Sequence, residues 1–162
     1  MTVEVLEESG AGVDVARMSR LSRFVMDRLR VHPQADLCIK LVDEDTIADV
    51  NERWMGKEGP TDVLAFPMDE LRPGMVNDEP EEGILGDMVL CPQIAERQAT
   101  EAREKGQRGY TTQDEMDLLT VHGILHLLGY DHAEPEEHQE MFGLQARLLA
   151  EWHSVRSGVA VE

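Results

Sequence analysis

The chain has 162 residues, 41% of them hydrophobic and 30% charged, which suits one compact domain with a core of ordinary size and leaves too little sequence for two. Its 15 Lys and Arg stand against 33 Asp and Glu, and the net charge of −18 excludes a broadly basic surface for nucleic acid or anionic membrane. Any nucleic-acid site must be a local exception. The longest uncharged stretch, residues 118–130, contains two histidines and falls well short of the ~20 apolar residues of a spanning helix. The first residues lack both the basic head and the apolar run of a secretory signal, so the expectation is a cytoplasmic protein that does not enter a membrane. Cys38 and Cys91 sit among apolar neighbours and read as small buried residues rather than a disulfide.

In chain order, Val3 to Leu6 alternates as a short strand does, and Gly10 and Gly12 break it. Asp14 is placed to cap a helix running to about residue 31, with Val15, Met18, Leu21, Val25 and Leu29 on its apolar face. The opposite face carries Arg17, Arg20, Arg23, Arg28 and Arg30, a candidate positive strip, although such faces are as a rule simply solvated. Residues 37–42 read as a buried strand, and Asp43 or Asp45 then caps a helix carrying Ile47, Val50 and Trp54. A third strand, residues 63–66, follows the turn at Gly59 and Pro60.

Residues 67–83 are rich in acids and have little apolar periodicity, as expected of a mobile loop. A fourth strand spans 84–90, and Pro92 suits the first turn of a helix to about residue 105. Thr112 and Glu115 form a capping-box pattern at the start of the next helix, which Gly129 is placed to end. A last helix starts near Pro135 and carries Met141, Leu144, Leu148 and Trp152, and residues 154–162 read as a frayed tail. This order predicts an α+β fold. It has a small mixed four-stranded sheet packed with about five helices in a single domain over residues 1–153.

The informative stretch is residues 121–132. His122 and His126 are one helical turn apart and about 40° apart around the axis, so both can address one ion. A left-handed Gly129 can turn the chain so that His132 comes back to the same point, which gives three imidazoles, a fourth position open to water, and a metal site at the end of a central helix. Leu119, Leu125, Leu127 and Leu128 make the surroundings apolar, where charged or unpaired imidazoles are expensive and a metal relieves the cost. Of the other histidines, His32 and His153 read as surface residues, and His138 as a solvated residue within reach of the site. The spacing is also that of the metzincin proteases, but those carry Glu after the first histidine as general base. Here that position is Gly123, which cannot move a proton, so peptide hydrolysis by that route is disfavoured.

Three blocks in order, Pro60-Thr61-Asp62-Val63-Leu64-Ala65-Phe66-Pro67, Leu85-Gly86-Asp87-Met88-Val89-Leu90-Cys91 and the stretch from His122 to His132, resemble the YbeY endoribonucleases of bacteria. The resemblance covers about residues 36 to 150. It implies zinc-dependent cleavage of single-stranded RNA in maturation of the small-subunit (16S) ribosomal RNA and in ribosome quality control, with contact to the small subunit. It also implies one zinc per chain held by His122, His126 and His132. Many members carry an aromatic residue, Arg, Gly and Lys just before the first block, the arginine serving phosphate; this chain reads Arg53-Trp54-Met55-Gly56-Lys57. Arg53 or Lys57 is therefore the candidate for binding the substrate's phosphate. His122 and Asp131 are the candidate catalytic residues, Asp131 as an acceptor that orients a histidine or, equally, as a turn residue. Asp62 and Asp87 belong to the same blocks. Tyr130 and Trp54 are the large aromatics near the site, and packing accounts for either. Two other readings share the metal site: a metallohydrolase acting on something other than RNA, and a non-catalytic ribosome assembly factor with a structural metal.

Overall fold

The computed structural model describes residues 2–31, 34–68 and 83–156. His32, most of the expected acidic loop and the end of the expected tail lie outside the described residues.

Four strands form one sheet: β1 (Thr2–Glu7), β2 (Asp36–Leu41), β3 (Val63–Pro67) and β4 (Ile84–Leu90). Their spatial order is β1-β2-β4-β3, with β2 parallel to both β1 and β4, and β3 antiparallel to β4. A parallel pair needs a crossover, and α1 (Val15–Arg28) supplies the first. The registers put Val3, Leu37, Ile39, Met88, Leu90 and Ala65 on one face, where α1 and α4 (Thr112–Leu127) cover them and form the main core. The other face carries Glu4, Cys38, Lys40, Asp87, Val89 and Phe66, and α2 (Glu44–Val50) covers only its end through a smaller cluster of Val42, Ile47, Leu64, Val89, Cys91 and Ile94. The fold is therefore α+β with a mixed sheet, completed by α3 (Pro92–Glu104) and α5 (Pro135–Arg156).

Helix α4 is the central element. It contacts α1, α3, α5, β3 and β4, and it is apolar on nearly every side because nearly every side is buried. Its capping box lies one residue earlier than expected: Thr111 accepts from the Asp114 N–H, and Asp114 accepts from the Thr111 N–H. Asp43, rather than Asp45, caps α2 by accepting from the Thr46 N–H.

Two further expectations change. Helix α2 passes into a π turn, Asn51–Met55, before Gly56 ends it at φ 68°. A π turn in effect inserts one residue, which rotates the next side chains by about 100° and takes Trp54 off the buried face to 73% exposure. The positive strip on α1 is also smaller than the sequence suggests. Arg17 is spent on a 2.6 Å ion pair with the buried Asp117 of α4, and Arg28 lies over the Phe24 ring and 3.6 Å from Glu151. Helix α5 extends to Arg156, into the stretch expected as a tail. Cys38 is half-buried and Cys91 buried, both as free thiols. Among the described residues no helix is long and apolar enough to cross a membrane.

Candidate metal centre

Helix α4 ends where its sequence says it must. Gly129 takes φ 95°, its N–H bonds the His126 carbonyl, and the Tyr130 N–H reaches back to the Leu125 carbonyl. These two bonds close a Schellman turn. The chain reverses there and returns His132 toward the helix, with the His132 N–H held by Asp131 Oδ1 at 2.7 Å. The ring centroids of His122 and His126 lie 4.5 Å apart, and that of His132 lies 5.8 Å and 5.4 Å from them.

The three imidazoles offer ligand nitrogens within 4.8 Å of one another. His122 Nε2 and His126 Nε2 are 3.0 Å apart, close to the ~3.3 Å between two nitrogens on one tetrahedral zinc. On its other side, His122 Nδ1 lies 2.9 Å from Gln145 Oε1, a buried amide of α5. His126 has a hydrogen bond with the Tyr130 backbone. His122 and His126 are half-buried and His132 is exposed, so the group is walled by protein on one side and open on the other.

Burial pushes both helix imidazoles below the ordinary histidine value. Neighbouring imidazoles act in the same direction. The Gln145 hydrogen bond and the Asp62 charge oppose this at His122, as the Asp131 charge and the Tyr130 backbone do at His126. The net result keeps the rings neutral, the only form that binds a metal. Three neutral imidazoles with one open side suit zinc in a catalytic rather than a closed structural arrangement.

The other residues singled out from the sequence are distributed around this group. Asp131 is exposed, with its carboxylate engaged by the His132 backbone. Asp62, at the start of β3, accepts from the Val63 N–H and from Gln98, and its charge reaches His122. His138 is exposed and stacks on Phe142 at 4.3 Å, its ring 6.3 Å from that of His132. Tyr130 is half-buried against the main core. Arg53 pairs with Asp49 at 3.2 Å on the surface, and Lys57 is exposed. Both belong to a loop that the buried Asn51 closes, its side-chain amide donating to the Gly59 carbonyl at 2.9 Å. Trp54 lines a groove of about 510 Å³ with Lys40, Val50, Phe66, Asp87 and Val89, on the sheet face turned away from α4.

Sequence reasoning missed Gln145 and Asn51. Each is a polar residue at a position where the pattern alone calls for an apolar one, and that exception was the available signal. A second set of donors, Asp114, Asp117 and His153, also falls within 4.8 Å. There Asp117 accepts from Arg17 and Gln113, and Asp114 from the Thr111 N–H, so both carboxylates already serve protein donors.

Residues 7–153 match the family described as endoribonuclease YbeY. A protein of that name from a Nocardioides species is 67% identical over 154 residues, 95% of this chain and 99% of the relative. Another from Thermobifida fusca is 59% identical over 152 residues, 94% of each. The solution structure of TM1509 from Thermotoga maritima superposes with a TM-score of 0.62 at 29% identity, covering 98% of this chain and 96% of the other. The chain belongs to the endoribonuclease YbeY family and is, by that membership, a nuclease of the hydrolase class.

Proposed function

We propose that this chain is a zinc-dependent, single-strand-specific endoribonuclease that acts in maturation of the small-subunit (16S) ribosomal RNA and in ribosome quality control, in the cytoplasm and in contact with the small subunit. The observation that carries the reading is the convergence of three imidazoles with one exposed side in a chain of this family. In this reading His122, His126 and His132 hold one zinc ion. When bound, the metal supplies a Lewis acid for a phosphoryl oxygen and acidifies water toward neutral pH.

The chain's own residues bind and orient. Burial keeps His122 and His126 neutral and ready to ligate. Asp131 fixes the turn that carries His132, which makes it a positioning residue for a ligand. Lys57 or Arg53 takes the substrate's phosphate. Of the two, Arg53 must first leave Asp49, a small obstacle because exposed pairs of this spacing are worth only ~0.3–0.5 kcal/mol. A net charge of −18 opposes the approach of RNA, so such local cations matter more here than on a neutral protein.

The test is cleavage of a defined single-stranded RNA by metal-free protein, by zinc-restored protein and by a His126→Ala control. Double-stranded RNA and single-stranded DNA of the same sequence serve as comparison substrates. Cleavage of the single-stranded RNA only after zinc is restored, and none by the control, is the expected outcome. Equal cleavage of the DNA would indicate a metallohydrolase of broader substrate class. Zinc binding without cleavage of any substrate would favour a structural metal in an assembly factor.

A further inference from the structure

Helix α5 buries Met141, Leu144, Leu148 and Trp152 against the rest of the protein, and Gln145 lies in the same stripe at 5% exposure. An amide at such a position is costly unless it is hydrogen-bonded, and a leucine would fill the place without that cost. The amide's observed partner is His122 Nδ1, 2.9 Å from Oε1.

The orientation of that amide decides which nitrogen of His122 is free. With Oε1 toward the ring, Nδ1 must carry the proton and donate it, so Nε2 keeps its lone pair. Nε2 is the atom that faces His126 Nε2 at 3.0 Å, where an ion would sit. With the amide reversed, its N–H would hold Nδ1 as an acceptor and put the proton on Nε2, where it would block ligation. Only one of the two arrangements is compatible with a metal, and it is the one the structure has. His126 has a backbone partner in Tyr130, which side-chain substitution cannot remove, whereas His122 depends on a side chain from a different helix.

We propose that Gln145 is a positioning residue for the metal centre: its buried carboxamide oxygen holds His122 as the Nδ1–H tautomer and so presents Nε2 to the metal. This rests on the reading that the three histidines bind zinc. Gln145 touches neither substrate nor metal, and its effect is confined to the orientation and tautomer of one ligand.

The experiment measures zinc affinity by competition with a chromogenic chelator for the unaltered chain and for Gln145→Leu, Gln145→Glu and His126→Ala. In parallel, the His122 tautomer is read from long-range ¹H–¹⁵N correlations of the metal-free protein. The expected result is a 10–100-fold loss of affinity in Gln145→Leu, the range typical for loss of such a supporting partner. The Nδ1–H signature of His122 should give way to a mixture. Gln145→Glu, which keeps an acceptor in place, should recover most of the lost affinity. Gln145→Met provides the same deletion with an unbranched side chain should the leucine variant fail to fold. Unchanged affinity in the folded deletion variant overturns the proposal, and so does a loss that Glu does not recover, since that outcome points to packing. If the unaltered chain binds no zinc, or His126→Ala binds as well as it does, the three-histidine reading fails instead.

Discussion

Gly123 lies directly over Met88. A Cβ on Gly123 would overlap the Met88 terminal methyl, stand 3.1 Å from its sulfur and touch Val63 at 3.4 Å. The residue that follows His122 on α4 therefore faces away from the two helix histidines, onto the sheet, where α4 descends closely on β3 and β4. A carboxylate at this position would be driven into the core rather than toward a substrate. The glycine that rules out the metzincin base has a structural reason of its own.

Gly86 makes a similarly close approach to a different neighbour, and the two should respond differently to alanine. At Gly86 the obstacle is the rigid Phe66 carbonyl, with Leu127 and Pro67 close behind, and the residue sits at φ 149°. At Gly123 the obstacle is the flexible end of a methionine, and alanine gains ~1 kcal/mol in helix propensity. Gly123→Ala should therefore cost no more than about 1–2 kcal/mol, and Gly86→Ala clearly more. Urea unfolding of the two variants checks the order. Equal costs would mean that β4 shifts as easily as a methionine end.

Stability of the metal-free protein should fall as pH drops below about 6.5. Burial lowers His122 and His126 in the folded state, so the unfolded chain takes up protons first as the solution is acidified. The contribution is complete above the unfolded histidine value and is lost as pH falls through it toward the lowered folded values. Urea midpoints measured in chelator at pH 7.5, 6.5 and 5.5 should decline. The decline should be shallower in His126→Leu. A decline equally steep in His126→Leu would show that these rings do not cause it.

Removing Asp117 should be among the most damaging single changes outside the core. Its side chain is fully buried and meets an Arg17 that is 14% exposed, so Asp117→Ala leaves a largely desolvated guanidinium without its counter-charge. Breaking one partner of such a pair costs about 3–5 kcal/mol, whereas replacing both by apolar groups is often neutral. Arg17→Met with Asp117→Leu should thus recover most of the loss seen in Asp117→Ala. Failure to recover would assign the cost to the Gln113 hydrogen bond or to packing rather than to the pair.

The three-histidine group is legible in the sequence because its geometry is local. A spacing of four on one helix and a glycine that ends it bring His122, His126 and His132 together with no knowledge of the rest of the fold. Gln145 is not, because its partnership with His122 depends on how α5 packs across α4. The capping box is ambiguous because Thr111 with Asp114 and Thr112 with Glu115 obey the same pattern, and only the structure chooses between them. Trp54 falls on a buried face only if a continuous 3.6-residue period holds, and the chain makes a π turn there instead.

That π turn also bears on residues 53–57, where the resemblance implies a phosphate-binding arginine and this chain has Met55. The turn and the Asn51 clamp on Gly59 hold Trp54, Met55 and Lys57 outward, Met55 at 47% exposure, so a longer cationic side chain there meets solvent rather than core. The segment leads through Gly59 to Asp62, the carboxylate whose charge reaches His122. Met55→Arg should fold normally, tighten binding of single-stranded RNA severalfold and steepen the dependence of affinity on salt by about one released counterion. Lys57→Ala should weaken binding uniformly across sequences and flatten the same dependence. If the two cations serve one phosphate, Lys57→Ala should cost less in the Met55→Arg background than alone, and a double-mutant cycle measures the difference. Binding measured against salt for the four variants, with the histidines intact, decides the matter. Unchanged affinity and an unchanged salt slope in every variant would remove residues 53–57 from the RNA path. The arginines of α1 not already spent on Asp117 would then be the next cations to test.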